Sequence, residues 1–205
     1  MRLVVVSAGL STPSSTRLLA DRLTEATCSR LADAAAGPTV DVIELRSLAQ
    51  DIAARLVATF PSPALAEALD SVARADALIA VTPVFSASYS GLFKSFFDVL
   101  EPDTLTGTPV LLAAAGGTAR HSMVLDHALR PLFTFLRAEP VPTGVFAASE
   151  DWGGTGDALT DTLPVRIARA GAELAGRLLR GGPGRASVQA EFIPFAEQLA
   201  GLERD

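Results

Sequence analysis

Hydroxyl side chains are concentrated in a short segment near the start of the chain. Residues 9–16 (GLSTPSST) carry five of them, at Ser11, Thr12, Ser14, Ser15 and Thr16. A helical pattern begins at about Ser15, and the free N–H groups of a helix N-terminus combine with hydroxyl donors to suit a phosphate dianion without a lysine. The segment has neither the G-x-G-x-x-G of a Rossmann site nor the G-K-S/T of a P-loop. It therefore predicts a phosphate site of another kind, with simple N-capping of the helix as the alternative.

A second candidate segment, residues 82–91 (TPVFSASYSG), combines a proline, two aromatic side chains and several hydroxyls. Pro83 fixes one φ angle and removes a backbone donor. Such a turn can present backbone groups to the polar edge of a flat ring, while Val84 and Phe85 offer apolar contact. The alternative is an ordinary strand-to-helix loop, in which Phe85 and Tyr89 belong to the core or to an interface.

A third segment, residues 115–119 (AGGTA), contains two adjacent glycines. Gly116 and Gly117 allow a ligand to approach the backbone closely. Backbone amides near the start of the following helix can stabilise negative charge on a bound group. A flexible turn is the alternative interpretation.

The three segments follow buried strands in an alternating α/β pattern. Apolar runs predict five parallel strands separated by helices, at 3–6, 40–45, 77–81, 109–114 and 141–147. Right-handed crossovers and five strands favour a flavodoxin-like doubly wound sheet, of order 2-1-3-4-5 with helices on both faces. Ligands of such sheets bind beyond the carboxyl ends of the strands, so we expect the three segments to meet there.

Three finer expectations concern boundaries. The pattern predicts one domain over residues 1–181 and a separate C-terminal tail over 182–205. Thr82-Pro83 is expected to end the third strand, because proline cannot donate a ladder hydrogen bond. Residues 121–137 are expected to be helical, although Pro131 lies inside them.

Composition narrows the function classes. The 205 residues carry a formal net charge of −6 and no cluster of Lys or Arg, so nucleic acid and anionic membranes are not expected partners. Cys28 is the single cysteine, which excludes an internal disulfide and a Cys-rich metal site, and we expect no metal. No signal peptide and no run of about 18 apolar residues is found, so a cytoplasmic protein is expected.

At the three segments the chain resembles the NAD(P)H-dependent FMN reductases. These flavodoxin-like enzymes feed reduced FMN to two-component monooxygenases. The resemblance spans about residues 1–180 and lies in SAGLSTPSST (7–16), TPVF to SYSGLFK (82–94), GGTARH (116–121), VLDHALRP (124–131) and GVFA (144–147). The motif of residues 82–94 is fairly specific for this family.

The resemblance implies the positions of the FMN-binding residues. The phosphate would bind at Ser11, Ser14, Ser15 and Thr16. The isoalloxazine ring would lie against Pro83, Val84, Phe85 and Ser86. The pyrimidine end of the ring would lie near Gly116, Gly117 and Thr118.

Two positions depart from the pattern of the relatives. Many relatives carry a lysine where this chain has Ser86, so any cationic role there is lost. Some have a tyrosine in an inserted π-turn, where this chain has His127, which leaves the π-turn itself an open question.

The implied function is an NAD(P)H:FMN oxidoreductase, in which hydride passes from NADH or NADPH to FMN. The cofactor chemistry needs no general acid or base, so we predict no catalytic side chain. His121 is expected at the surface, with contact to the nucleotide phosphates as the alternative. Two further hypotheses remain: a quinone or azo reductase with bound FMN, and a non-catalytic flavodoxin-like electron carrier.

Apolar stripes and loops suggest an oligomer. Two segments repeat a broad apolar pattern, which predicts core packing or a homodimer or homotetramer interface: Leu92, Phe93, Phe96, Phe97 and Leu100, then Leu125, Leu129, Leu132, Phe133 and Leu136. Trp152 follows the last strand, where it would cover a partner's flavin or lie partly buried in its own subunit. Cys28 is expected to be a small buried side chain.

Overall fold

The computed structural model describes residues 1–34, 37–153 and 162–181. The predicted tail, 182–205, lies outside the described residues. The strands are β1 (Arg2–Ser7), β2 (Thr39–Glu44), β3 (Ala77–Phe85), β4 (Ser88–Tyr89), β5 (Pro109–Gly116), β6 (Glu139–Pro140) and β7 (Val145–Ala148). The α-helices are α1 (Ser15–Asp33), α2 (Ala49–Arg55), α3 (Pro63–Ala73), α4 (Gly91–Asp98), α5 (Arg130–Phe135) and α6 (Leu163–Leu179).

The strands form one doubly wound sheet. β2, β1, β3 and β5 lie side by side in parallel, and both β6 and β7 pair with the outer edge of β5. The predicted α/β class and strand order are therefore confirmed. The sheet has seven strands rather than five, because two short strands, β6 and β7, lie beside β5 where one strand over 141–147 was predicted, and because β4 adds a short hairpin to β3.

Continuous apolar strands bury both faces of this sheet. Val4 and Val6 of β1 pack in the layer that contains α2 to α5, whereas Leu3 and Val5 pack against α1 and α6. All four side chains are fully buried, as expected for a parallel sheet that is covered on both sides.

β3 continues through Pro83, contrary to the expectation that Thr82-Pro83 ends it. The pairing of β3 with β1 stops at Val81, while its pairing with β5 continues to Pro83 and Ala115. Beyond Val81 the strand therefore has a neighbour on one side only, and proline is tolerated at such edge positions.

Residues 121–137 are not one helix. A short 3₁₀ turn (Ala119–His121) is followed by a π-helical turn (Leu125–Leu129), which contains His127, and then by α5. Pro131 lies at the first positions of α5, where proline is common. The π-turn left open by the sequence is therefore present.

The two apolar stripes belong to the intradomain core. The aromatic side chains of both stripes are buried, with Phe93 and Phe133 fully so, and the leucines of both pack in or against the same cluster. The core-packing alternative therefore holds, and the width of the stripes provides no argument for a dimer interface. Among the described residues, no helix is long and apolar enough to cross a membrane.

Candidate active site

The loops after β1, β3 and β5 meet in a cavity of about 330 Å³ at the carboxyl edge of the sheet. Every predicted site residue lines this cavity except Ser86 and Thr118. Its volume is within the range of about 300–1,000 Å³ that is typical of small-molecule sites. We call it the main cavity.

Ser86 and Thr118 are directed elsewhere by their local backbone. Ser86 and Ala87 form the two-residue turn between β3 and β4, with φ angles of 49° and 63°, so Ser86 is exposed at the tip of a hairpin. The Thr118 hydroxyl caps the following 3₁₀ turn, where it accepts a hydrogen bond from the Arg120 amide at 3.4 Å.

The first loop places hydroxyls and amides at the N-terminus of α1. Ser14 caps this helix: its Oγ accepts a hydrogen bond from the Arg17 amide at 3.2 Å, which leaves the Ser14 hydroxyl hydrogen free to donate. The amides of the first turn of a helix have no intrahelical acceptor. No charged side chain is among the described residues that line the cavity, so α1 and the hydroxyls provide its positive potential.

Gly9 is required by the packing of this loop. A Cβ at Gly9 would lie 2.1 Å from Ser14 Oγ and 3.3 Å from Thr16 Cβ. Separations this short would force the capping hydroxyl out of its position. The glycine therefore determines how closely the end of β1 approaches the start of α1.

Two arginines flank the loop from the side of β2. Arg17 pairs with Asp21 at 2.7 Å and with Glu44, and the pKa of its guanidinium is raised mainly by the hydrogen bond to Asp21. Its charge is therefore neutralised locally. Arg46 donates hydrogen bonds from Nη1 to Thr12 Oγ1 at 2.6 Å and to the Leu10 carbonyl at 3.3 Å, so it holds the loop from outside the cavity.

The second loop is a hairpin that projects beyond the sheet edge. The buried Thr82 hydroxyl accepts from the Ser90 amide at 3.0 Å and donates to the Pro83 carbonyl at 2.9 Å, which closes the hairpin at its base. Ser90 in turn caps α4. Phe85 is 46% exposed although it lines the cavity, so it offers an aromatic face that no side chain fully covers.

The third loop supplies the glycine wall. A Cβ at Gly116 would lie 2.9 Å from Phe146 Cζ, whereas one at Gly117 would have no neighbour within 4 Å. Gly117 therefore leaves open space beside the backbone, and this space suits the edge of a flat ligand.

Residues missed by sequence reasoning complete the cavity. Leu10 and Ala115 lie inside two of the predicted segments, and Ser149 follows β7 at the same edge of the sheet. The loop after β7 is held by Asp151, which accepts from the Ala148 amide at 2.8 Å and from Arg166 at 2.6 Å. The rule that loops at the carboxyl edge carry the site could have identified Ser149.

Four further residues considered in the sequence analysis do not line the main cavity: Trp152, Cys28, His121 and His127. Trp152 packs partly buried against the core of its own chain, with the Arg22 guanidinium 5.3 Å from the ring centroid, so the intrasubunit alternative holds. Cys28 is partly buried against the same core, and burial raises the pKa of its thiol. His121 and His127 are both exposed.

Comparison with known proteins identifies the family. A family model described as NADPH-dependent FMN reductase matches residues 1–153. The chain belongs to this family. An FMN reductase (NADPH) of Pseudomonas aeruginosa is 39% identical over 182 residues, which cover 88% of this chain and 93% of the relative. The NADH-dependent FMN reductase SfnE of Pseudomonas putida is 42% identical over 151 residues, covering 74% and 78%.

One solved structure superposes on most of the chain. An oxidoreductase from Corynebacterium diphtheriae superposes with a TM-score of 0.82 at 46% identity, covering 87% of this chain and 97% of that one. The family predicted from the sequence is confirmed. So are its reaction class, NAD(P)H:FMN oxidoreductase, and its use of FMN and a pyridine nucleotide.

Proposed function

We propose that this FMN reductase family member binds FMN in the main cavity and reduces it with NADPH or NADH. One observation carries the assignment: hydroxyls and the N-terminal amides of α1 line the same cavity as apolar side chains and glycines. The hydroxyls and amides suit a phosphate, and the apolar side chains and glycines suit a tricyclic ring. The flavin, when bound, supplies an acceptor for the hydride of the nicotinamide.

The residues of the chain bind and orient in this proposal. Ser11, Ser14, Ser15 and Thr16 donate to the phosphate, with the first-turn amides of α1. Pro83, Val84 and Phe85 contact the ring, and Gly116 and Gly117 allow it to approach the backbone. No side chain moves a proton, and rate acceleration comes from the proximity and orientation of the two substrates.

A paired titration tests this assignment. Calorimetry measures the binding of FMN and of riboflavin, which lacks the phosphate, to the wild type and to Ser15→Ala. We expect FMN to bind more tightly than riboflavin, and Ser15→Ala to weaken FMN but not riboflavin. Ser29→Ala, an exposed serine further along α1, is the matched control. Equal affinity for the two flavins in the wild type would refute the phosphate site.

Anaerobic reduction tests the reaction itself. NADPH or NADH is added to the flavin-loaded protein, and the visible absorbance of the oxidised flavin is followed. Bleaching by either nucleotide is the expected result. Absence of bleaching with both would overturn the reductase assignment and favour an electron carrier.

FMN is proposed to be exchangeable and to leave in its reduced form for a monooxygenase. Support comes from the cavity wall, which within the described residues holds no cation to anchor the phosphate, and from the exposed face of Phe85. Gel filtration of the loaded protein tests this proposal. Loss of most of the flavin supports exchange, and retention of one equivalent contradicts it.

The remaining proposals concern the setting of the enzyme. We propose a cytoplasmic homo-oligomer whose residues 1–181 form the FMN-binding domain and whose residues 182–205 form a tail. Phe135 and Phe60, with 83% and 81% of their surface exposed, support association, because exposed aromatic side chains favour burial. Light scattering that finds only monomers at micromolar concentration would reject the oligomer.

A further inference from the structure

A second cavity, of about 340 Å³, borders the β3–β4 hairpin. Arg120, His121 and His127 contribute its nitrogen-bearing side chains, and Ala87 and Ser88 contribute the hairpin wall. We call it the basic pocket. The sequence singled out both histidines, and neither has a role in the main cavity.

The charge distribution of the basic pocket suits an anion. No carboxylate is among the described residues that line it, although the whole chain is acidic with a net charge of −6. Arg120 is exposed, and within residues 1–34, 37–153 and 162–181 its guanidinium has no carboxylate partner. Glu150 accepts a hydrogen bond from the amide of Ala119, the residue before Arg120, at 3.2 Å.

The donor set favours a phosphate over a metal ion. No group of three His, Cys, Asp or Glu side chains that could hold a metal occurs in the described part of the chain. A guanidinium presents a planar pair of N–H donors that matches two phosphate oxygens, and each imidazole adds an N–H donor. Together these side chains can surround one phosphate group.

The basic pocket adjoins the main cavity through two shared segments. Phe85 lines the main cavity and Ala87 lines the basic pocket, on the same hairpin turn. On the segment after β5, Gly117 lines the main cavity and Arg120 lines the basic pocket. A nicotinamide that lay against a flavin in the main cavity would carry its pyrophosphate one ribose away and its 2′-phosphate beyond the second ribose, and the shared segments make the basic pocket the neighbouring site for one of these groups.

We propose that the basic pocket binds a phosphate group of the pyridine nucleotide, with Arg120 as its main ligand. This inference rests on the proposed function, since it assumes that the main cavity holds the flavin. Two phosphates of the nucleotide have the required chemistry: the pyrophosphate, present in NADH and NADPH, and the 2′-phosphate, present in NADPH alone. The comparison of the two nucleotides separates them.

Steady-state kinetics at saturating FMN test the proposal. KM and kcat are measured with NADPH and with NADH for the wild type, Arg120→Ala, Arg120→Lys and Arg30→Ala. Arg30 is an exposed arginine near the end of α1 that lines neither cavity, so it controls for the loss of one positive charge. We expect Arg120→Ala to raise KM for the nucleotide about tenfold, the effect of one charge-assisted hydrogen bond, while kcat and FMN affinity stay unchanged.

Each outcome has a defined meaning. A rise in KM for NADPH alone assigns the 2′-phosphate, and a rise for both nucleotides assigns the pyrophosphate; Arg120→Lys should recover part of the loss in either case. Unchanged KM values for both nucleotides, or equal effects of Arg120→Ala and Arg30→Ala, overturn the proposal.

Direct binding keeps this test separate from that of the proposed function. Calorimetry with NADP⁺ and NAD⁺ on the same variants needs no flavin reduction. If the wild type binds a nucleotide and Arg120→Ala binds it about tenfold more weakly, the basic pocket stands even where FMN is not reduced. If nucleotide binding is the same in both proteins, the proposal fails even where FMN is reduced.

Discussion

Substitution of Gly9 by alanine tests the link between backbone packing and phosphate binding. The added methyl group would lie 2.1 Å from Ser14 Oγ and 3.2 Å from Ser14 Cβ. The hydroxyl is the movable atom, so we expect Ser14 to rotate away from its capping position while the fold is kept. The Arg17 amide then loses its acceptor, and a bound phosphate loses one donor.

The size of the effect follows from these two losses. Removing an N-cap costs about 1 kcal/mol of the free energy of unfolding. A hydrogen bond to a charged group contributes about 1.5–3 kcal/mol, which corresponds to about a 10- to 150-fold weaker Kd for FMN. Riboflavin has no phosphate, so its Kd should change little.

The assay combines calorimetry with urea unfolding of the flavin-free protein. Ser14→Ala removes the same hydroxyl without any steric contact, so it should reproduce both effects of Gly9→Ala. Gly37→Ala is the control, because a Cβ there has no neighbour within 4 Å. If Gly9→Ala binds FMN as tightly as the wild type, Ser14 does not hold the phosphate, and the account of this loop is wrong.

Three further predictions concern stability and affinity. Gly171→Ala should lower the free energy of unfolding relative to Gly176→Ala by about 1–3 kcal/mol in urea titrations, because its Cβ would lie 2.9 Å from Ala26 Cβ of α1, whereas the Cβ of the control meets only a flexible side chain at 3.5 Å. Equal values would disprove close packing of α1 and α6. Arg46→Ala should weaken FMN binding severalfold in calorimetry, because the loop after β1 loses two hydrogen bonds. Unchanged affinity would show that Arg46 does not hold this loop in its binding conformation. Ala87→Gly should raise the melting temperature, because φ at this position is 63° and left-handed backbone costs an L-residue about 1–2 kcal/mol; a lower melting temperature would count against strain in the hairpin.

The sequence was sufficient to locate the main cavity. Parallel strands end at one edge of a doubly wound sheet, so three loops that are far apart in sequence had to meet there. This argument uses only strand order and direction, and both follow from apolar runs and crossover handedness. Ser11 and Gly117 could therefore be assigned to one cavity without any knowledge of side-chain contacts.

Side-chain direction could not be predicted in the same way. Ser86 was expected at the ring because the family resemblance implied it, and β3 was separately expected to stop at Pro83. The strand instead continues for two residues beyond Pro83 and turns back through Ser86 and Ala87, so Ser86 lies at the exposed tip of the hairpin while Pro83, Val84 and Phe85 still line the cavity. Two-residue hairpin turns of this type usually carry Asn or Gly, so Ser86-Ala87 is not a recognisable turn signal.

The positions of the arginine side chains could not be predicted either. These positions distinguish the cavity proposed for FMN from the pocket proposed for the pyridine nucleotide. Arg46 lies outside the main cavity and Arg120 lies in the basic pocket, so within the described residues neither cation lines the cavity proposed for FMN. A flavin phosphate held by hydroxyls and amides dissociates more readily than one paired with a guanidinium. A nucleotide phosphate at Arg120 gains the stronger contact. If both proposals hold, the protein directs its positive charge to the hydride donor and leaves the flavin free to exchange, as an enzyme that releases reduced FMN requires.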